Sequence, residues 1–300
     1  MTEQPQLPDG RPLPLDTTAQ LLSRITDQLG TQLGHVRLNG TRRLMPPNER
    51  PTLVAVAHGS REPRALHTVL ELLDRVRELR PGLDVRLGHI ELNEPLLGDT
   101  LAGLAPAPHA RGGAAVLVPL LLGRGYHVKH DLPQAAAAVP GADIRVAAPL
   151  GPHPLLVEAL CSRLADAGWQ PGDGTSRSAG VVLAAAGSRD PDSAADARST
   201  AEMLSERLGG VPVVAAYASA ASPTVPAAVR ALTARGRHRI AVASYFAAPG
   251  LFAARSAAAT PWIAAAPLGA HPALARLLLQ RYDEALTVRY AAQRRELASV

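Results

Sequence analysis

Leu53-Val-Ala-Val-Ala-His-Gly-Ser-Arg-Glu-Pro63 returns later in the chain as Val181-Val-Leu-Ala-Ala-Ala-Gly-Ser-Arg-Asp-Pro191. Each copy is a short apolar run that ends in a Gly-Ser-Arg-acid-Pro turn, the pattern of a buried strand feeding a helix. Two further landmarks repeat in the same order. Ala114 to Gly125 matches Ile240 to Gly250, and Ala148-Pro-Leu-Gly-Pro-His-Pro154 matches Ala266-Pro-Leu-Gly-Ala-His-Pro272. Three landmarks in one order mark an internal duplication.

Within the first copy, strand-like and helix-like patterns alternate. Val54 and Val56 with their alanines read as a fully apolar strand. From Pro63 to Arg80, Leu66, Val69, Leu72, Leu73, Val76 and Leu79 recur at helical spacing with charges on the opposite face. Strands are expected over Val85 to Glu91, Ala114 to Leu122 and Ile144 to Ala147, and helices over Pro95 to Leu104 and Pro154 to Ala167. Alternation of this kind predicts an α/β fold of two similar lobes, each a parallel sheet flanked by helices.

The lobes are expected at 51–168 and 178–285, joined by the Gly-, Pro- and Ser-rich stretch Gly168 to Ser178. Residues 1–50 read as a proline-rich, partly disordered extension with one amphipathic helix over Thr17 to Leu29, and 286–300 as a helical tail outside the repeat.

In open parallel sheets, ligands gather at the carboxyl ends of the strands. His58 falls at that place after the first strand, where Gly59 turns the backbone and Ser60 is expected to cap the next helix. Glu91 and Glu94 close the second strand, and His127 follows the third in Gly123-Arg-Gly-Tyr-His-Val-Lys-His-Asp131. A His, a carboxylate and a His on one rim suit a divalent transition metal, and two or three protein ligands leave positions open for transfer. His130 is a weaker candidate. His153 and His271 occupy the same turn in both copies, which points to a structural task, and His67, His89, His109 and His238 fit a helix face, a strand and loops.

The duplication acts as an internal control. The second copy carries Ala186 in place of His58, Phe252 in place of His127, and Ser219 and Ser222 around the Glu91 and Glu94 positions. Gly187, Ser188, Arg189 and Gly250 are kept. The frame is therefore common to both copies while the ionisable set belongs to the first, so those groups are expected to serve chemistry rather than folding.

The strand ending in Ala57-His58-Gly59-Ser60-Arg61, the segment Ile90-Glu91-Leu92-Asn93-Glu94-Pro95, and Val118-Pro-Leu-Leu-Leu-Gly-Arg-Gly-Tyr-His-Val-Lys-His-Asp-Leu-Pro133 resemble the class II sirohydrochlorin chelatases. With the second copy, the resemblance spans about residues 51 to 285. It implies a two-lobed α/β fold with a tetrapyrrole in the cleft between lobes, and metal binding by the histidines that match here as His58 and His127. The implied reaction is ATP-independent insertion of Fe2+ or Co2+ into sirohydrochlorin, with no cofactor beyond that substrate metal. Glu91 or a histidine is the expected proton acceptor. Ser60, Arg61, Arg64, Arg124, Tyr126 and Lys129 are the expected contacts to the carboxylate-rich substrate. The alternatives are a chelatase for another tetrapyrrole or for Ni2+, and a carrier that binds without turnover.

Bulk composition narrows the remaining classes. Aromatics form 3% of the chain against 47% hydrophobic residues, which argues against base-stacking platforms and for a core of small side chains. The net charge of +5 is spread over both copies rather than gathered in a stripe, so no nucleic-acid partner is expected. A single cysteine, Cys161, excludes an internal disulfide or a CxxC site and fits a reducing compartment. The first residues lack the apolar segment of a secretory signal, and no run reaches the roughly 20 apolar residues of a membrane span. A cytoplasmic protein is expected. The pattern GxxxxGK[ST] is absent, so no nucleotide hydrolysis is expected to drive the chemistry. One chain holds both lobes, so a monomer suffices to form the cleft, with a homodimer left open.

Overall fold

The computed structural model describes residues 50–104, 113–260 and 262–298, with side chains through Thr287. The helix expected over Thr17 to Leu29, most of the 1–50 extension and most of the 286–300 tail's side chains lie outside the described residues. The first lobe runs β1 (Thr52–Ala57), α1 (Pro63–Leu79), β2 (Val85–His89), α2 (Leu97–Ala102), β3 (Ala114–Pro119), a π-helical turn (His127–Asp131), α3 (Leu132–Ala137), β4 (Asp143–Val146) and α4 (Pro154–Asp166). After a 3-10 turn at Pro171–Thr175, the second lobe runs β5 (Ala179–Ala185), α5 (Pro191–Arg207), β6 (Val213–Tyr217), α6 (Val225–Ala234), β7 (Arg239–Tyr245), α7 (Leu251–Ala258) and α8 (Pro272–Ala298).

Both sheets are parallel. The first has the order β2-β1-β3-β4 and the second β6-β5-β7. Register repeats with the sequence: Leu53 lies between Val85 and Val116, as Val181 lies between Val213 and Ala241. Where the first lobe adds β4, the second has one isolated bridge from Val242 to Ala264. The two-fold alternation of a strand explains the core. Leu53, Ala55 and Ala57 face one side of the first sheet while Val54 and Val56 face the other. In β5, Ala179, Val181, Leu183 and Ala185 enter the same cluster as Leu53, while Val182 and Ala184 enter a separate one. The two sheets thus share a central core, which also takes Leu156 and Leu160 of α4, Leu204 of α5 and Leu274, Leu278 and Tyr282 of α8.

Two strand ends differ from the sequence expectation. β2 ends at His89, so Glu91 and Glu94 stand in a loop rather than closing a strand; there Glu94 Oε2 accepts the Leu96 backbone N–H at 3.2 Å, at the start of α2. β3 ends at Pro119, because the chain must leave the sheet to build the turn that carries His127. The stretch 168–178 that joins the lobes is an ordered brace. The buried Asp173 closes a capping box with Gln170 and pairs with Arg239 at 3.0 Å, and Arg237 holds the carbonyls of Ser176 and Ala179. The helical tail expected over 286–300 is the end of α8, a helix anchored where Arg80 grips the Asp283 carboxylate at 2.6 and 2.9 Å and the Tyr282 hydroxyl donates to Pro51 O. His153 and His271 have the structural task their recurrence suggested: each Nδ1 accepts a backbone N–H at the start of α4 or α8.

Candidate active site

The carboxyl ends of β1, β3, β5, β6 and β7 open onto one cleft of about 740 Å³ between the lobes. Its location follows from the turn that Gly59 makes. With φ at +101°, a side chain there is strained, and a Cβ would stand 1.8 Å from the Glu91 carbonyl oxygen. The β1–α1 loop therefore lies directly against the loop after β2, where Glu91 N–H donates to His58 O and Asn93 Oδ1 accepts the Ser60 N–H. Gly187 repeats this against Ser219, with φ at +91° and 1.9 Å to the carbonyl oxygen.

On this frame His58 and His127 meet edge to face, with ring centroids 4.8 Å apart at 86°. Each imidazole has a carboxylate at Nδ1. Glu91 Oε1 lies 3.5 Å from His58 Nδ1, and Asp131 Oδ2 lies 2.5 Å from His127 Nδ1. A carboxylate facing Nδ1 favours the tautomer with the proton on that nitrogen and leaves Nε2 as the lone-pair nitrogen of each ring. Asp131 escaped the sequence reading. The signal was its i, i+4 spacing from His127, visible only once that segment is recognised as helical.

The remaining expected contacts fall into two groups. Ser60, Arg61 and Tyr126 line the cleft. Arg61 has no ion-pair partner among the described residues, and Tyr126 is exposed beside His130 at a ring distance of 4.7 Å. Ser60 is not the helix cap: its Oγ accepts the Glu62 N–H, and Glu62 caps α1 by accepting from Arg64 N. The other three cations are already engaged. Arg64 is paired with Glu62 at 2.7 Å. Arg124 makes a forked contact with Asp196, and Lys129 sits between Asp190 and Asp192 at 2.7 and 2.9 Å, all on the second lobe. These carboxylates hold the Lys129 ammonium and the Arg124 guanidinium above their ordinary ranges, and Lys129 holds Asp190 below its own.

His89, set aside as a strand residue, lines the cleft and is buried, with Nδ1 3.2 Å from Pro95 O. Since a carbonyl only accepts, Nδ1 carries the proton and Nε2 is a lone-pair acceptor in the neutral ring. Its counterpart in the second lobe is the buried Tyr217. Across from the histidines, the second lobe lines the cleft with Ala186, Phe246, Leu251 and Phe252, an apolar wall.

Two parallel-sheet lobes with an inter-lobe cleft and a one-sided, carboxylate-backed histidine pair define a two-lobed α/β protein whose ionisable groups lie on one wall of the cleft. The CbiX family model matches residues 52–167 and again 180–285, and the chain belongs to that family. Among curated relatives, the sirohydrochlorin ferrochelatase of Bacillus subtilis is 27% identical over 178 residues, which cover 58% of this chain and 65% of the relative, just under two thirds of its length. The sirohydrochlorin cobaltochelatase of Methanosarcina acetivorans is 27% identical over 130 residues, 40% of this chain and 98% of the relative. In structure the chain resembles SirB from Bacillus subtilis with Fe3+, with a TM-score of 0.61, 23% identity and coverage of 79% and 95% of the two chains. It also resembles CbiX described as the terminal enzyme for siroheme biosynthesis in denitrifying bacteria, with a TM-score of 0.57, 19% identity and coverage of 78% and 99%. At these identities the structural likeness establishes the two-lobed fold.

Proposed function

We propose that this protein inserts Fe2+ or Co2+ into sirohydrochlorin without nucleotide hydrolysis, with the metal as substrate and no further cofactor. The observation that carries the reading is the pair of imidazoles 4.8 Å apart, each with Nδ1 backed by a carboxylate, on the wall of a cleft of about 740 Å³. The names of the curated relatives support the same reaction.

Two imidazole nitrogens hold a divalent metal through Nε2 and leave coordination positions open, as transfer requires. The apolar wall of the second lobe carries one face of the macrocycle, while Arg61, free to swing, takes a peripheral carboxylate. Insertion exchanges M2+ for two pyrrole N–H protons. Glu91, at 55% side-chain exposure and beside His58, accepts one, and an imidazole released from the metal is available for the other. Because imidazole serves iron, cobalt and nickel alike, supply in the cell selects the metal. One chain supplies both walls, so a monomer is a complete unit. Among the described residues no helix is long and apolar enough to cross a membrane, and we place the reaction in the cytoplasm.

The test is to mix purified protein, sirohydrochlorin and Co2+ or Fe2+ without ATP and follow the visible spectrum. Catalytic conversion at substoichiometric protein is the expected result. Spectral change that stops at one equivalent of protein would identify a carrier and reject the enzymatic reading.

A further inference from the structure

The second lobe lacks the histidines, yet its polar side chains reach across the cleft floor to the segment that carries His127. Asp196 of α5 is almost fully buried, with a side-chain exposure of 3%, and its carboxylate spends its bonds on the other lobe. It accepts the Arg124 backbone N–H at 2.7 Å, Arg124 Nε at 3.1 Å and Arg124 Nη2 at 2.7 Å. A buried carboxylate is costly unless so satisfied, and so it fixes its partner in one place. The Gly123 Cα region lies against it as well: a Cβ on Gly123 would stand 3.4 Å from Asp196 Oδ2. One residue earlier, Leu122 O accepts the hydroxyl of Tyr245, which in turn bonds Thr200 one helical turn beyond Asp196. On the far side of His127, Lys129 is held by Asp190 and Asp192 at the start of the same helix.

His127 therefore sits in a segment tied on both sides to α5, while only Asp131 fixes its ring from within its own segment. We propose that Asp196 is a positioning residue for His127: through Arg124 it sets where the imidazole stands relative to His58. The proposal rests on the chelatase reading for its catalytic consequence but not for its geometry. The second lobe accordingly gives the metal site its shape rather than only covering the tetrapyrrole. It also gives Arg124 and Lys129 a task in the site although they are spent on carboxylates of this chain.

The experiment uses the full-length chain with Asp196→Asn, which keeps an acceptor for the Arg124 N–H, and Asp196→Ala, which keeps none. A third variant, Asp190→Asn with Asp192→Asn, releases Lys129 while retaining a good helix cap, and keeps the test open if Asp196→Ala fails to fold. The first readout is the set of histidine ring proton resonances, because the His127 shift depends on the His58 ring edge beside it. The second is Co2+ affinity without tetrapyrrole, and the third is the split between kcat and KM. The expected result is a displaced His127 resonance with His153 and His271 unmoved, and Co2+ bound about 10-fold more weakly. The effect should grade from Asn to Ala, with kcat falling while the KM for sirohydrochlorin holds. The Asp190/Asp192 variant should shift the same resonance less. A His127 resonance and Co2+ affinity unchanged in all variants would overturn the proposal. If the resonance moves in a protein whose parent inserts no metal, the chelatase reading fails and the positioning stands.

Discussion

His127 and Asp131 stand one turn apart in a π-helical segment, and that spacing is what brings the carboxylate onto Nδ1. Backing groups of this kind are worth about 10–100-fold in metal affinity. Asp131→Asn and Glu91→Gln should each weaken Co2+ binding by that order, the Asp131 change more strongly because its contact is closer, 2.5 against 3.5 Å. Calorimetric titration with Co2+ checks this, and equal affinities in parent and variants would refute the backing role. Gly59→Ala is a second test at this scale. A φ of +101° costs a non-glycine residue about 1–3 kcal/mol, and the Cβ meets the Glu91 carbonyl at 1.8 Å, so both stability and the His58–Glu91 contact should suffer. Urea unfolding with a midpoint equal to the parent's would show that the loops part freely. The sequence made His58, His127 and Glu91 legible because the second copy lacks them. Asp196 was not legible, since it meets Arg124 across a separation of 72 residues that no local pattern encodes.

At the scale of elements, α4 and α8 begin on the same device, a histidine whose Nδ1 accepts a backbone N–H at 3.1 Å. Burial, then the nearby Arg281 for His153 and Arg163 for His271, push both imidazoles below their ordinary range. A folded pKa below the unfolded value near 6.5 means the unfolded chain binds more protons between the two. The stabilisation is therefore complete above about pH 6.5 and is lost as pH falls from there through the lowered folded values. Protonation also removes the acceptor that caps each helix. Tm should fall between pH 7 and pH 5, and replacing both residues by Asn, a cap that does not titrate, should flatten that slope. A slope unchanged in the double variant would place the pH sensitivity elsewhere. The turn was readable from the repeated Gly-x-His-Pro, whereas strand ends were not: β2 and β3 stop before their apolar runs do because the chain leaves the sheet to build loops. Between the lobes, the Gly and Pro residues of 168–178 build a tight 3-10 turn around the buried Asp173.

At the scale of the whole molecule, the duplicated sheets do not have independent cores. Leu53 of β1 and Leu183 of β5 belong to one cluster with Tyr282 of α8, all essentially inaccessible to solvent. Removing Leu183 to Ala should cost about 2–5 kcal/mol and destabilise both lobes together. Fluorescence of Trp169 and Trp262, whose rings lie 5.7 Å apart at a tilt of 44°, should then change in step with far-ultraviolet circular dichroism. Two separated transitions would show that the lobes are autonomous. Two matched lobes were evident from the repeats; their common core was not, because it depends on which strand face each helix covers.

In the proposed reaction, the two histidines of the first lobe hand a divalent metal to a tetrapyrrole in the cleft. Its most direct measurement is the initial rate of Co2+ insertion into sirohydrochlorin by the parent, His58→Ala and His127→Ala under identical conditions, with folding verified by circular dichroism. Each variant should lose at least about 100-fold in kcat/KM, the scale of a removed transition-state contact. Insertion by either folded variant at the parent's rate would contradict the assignment.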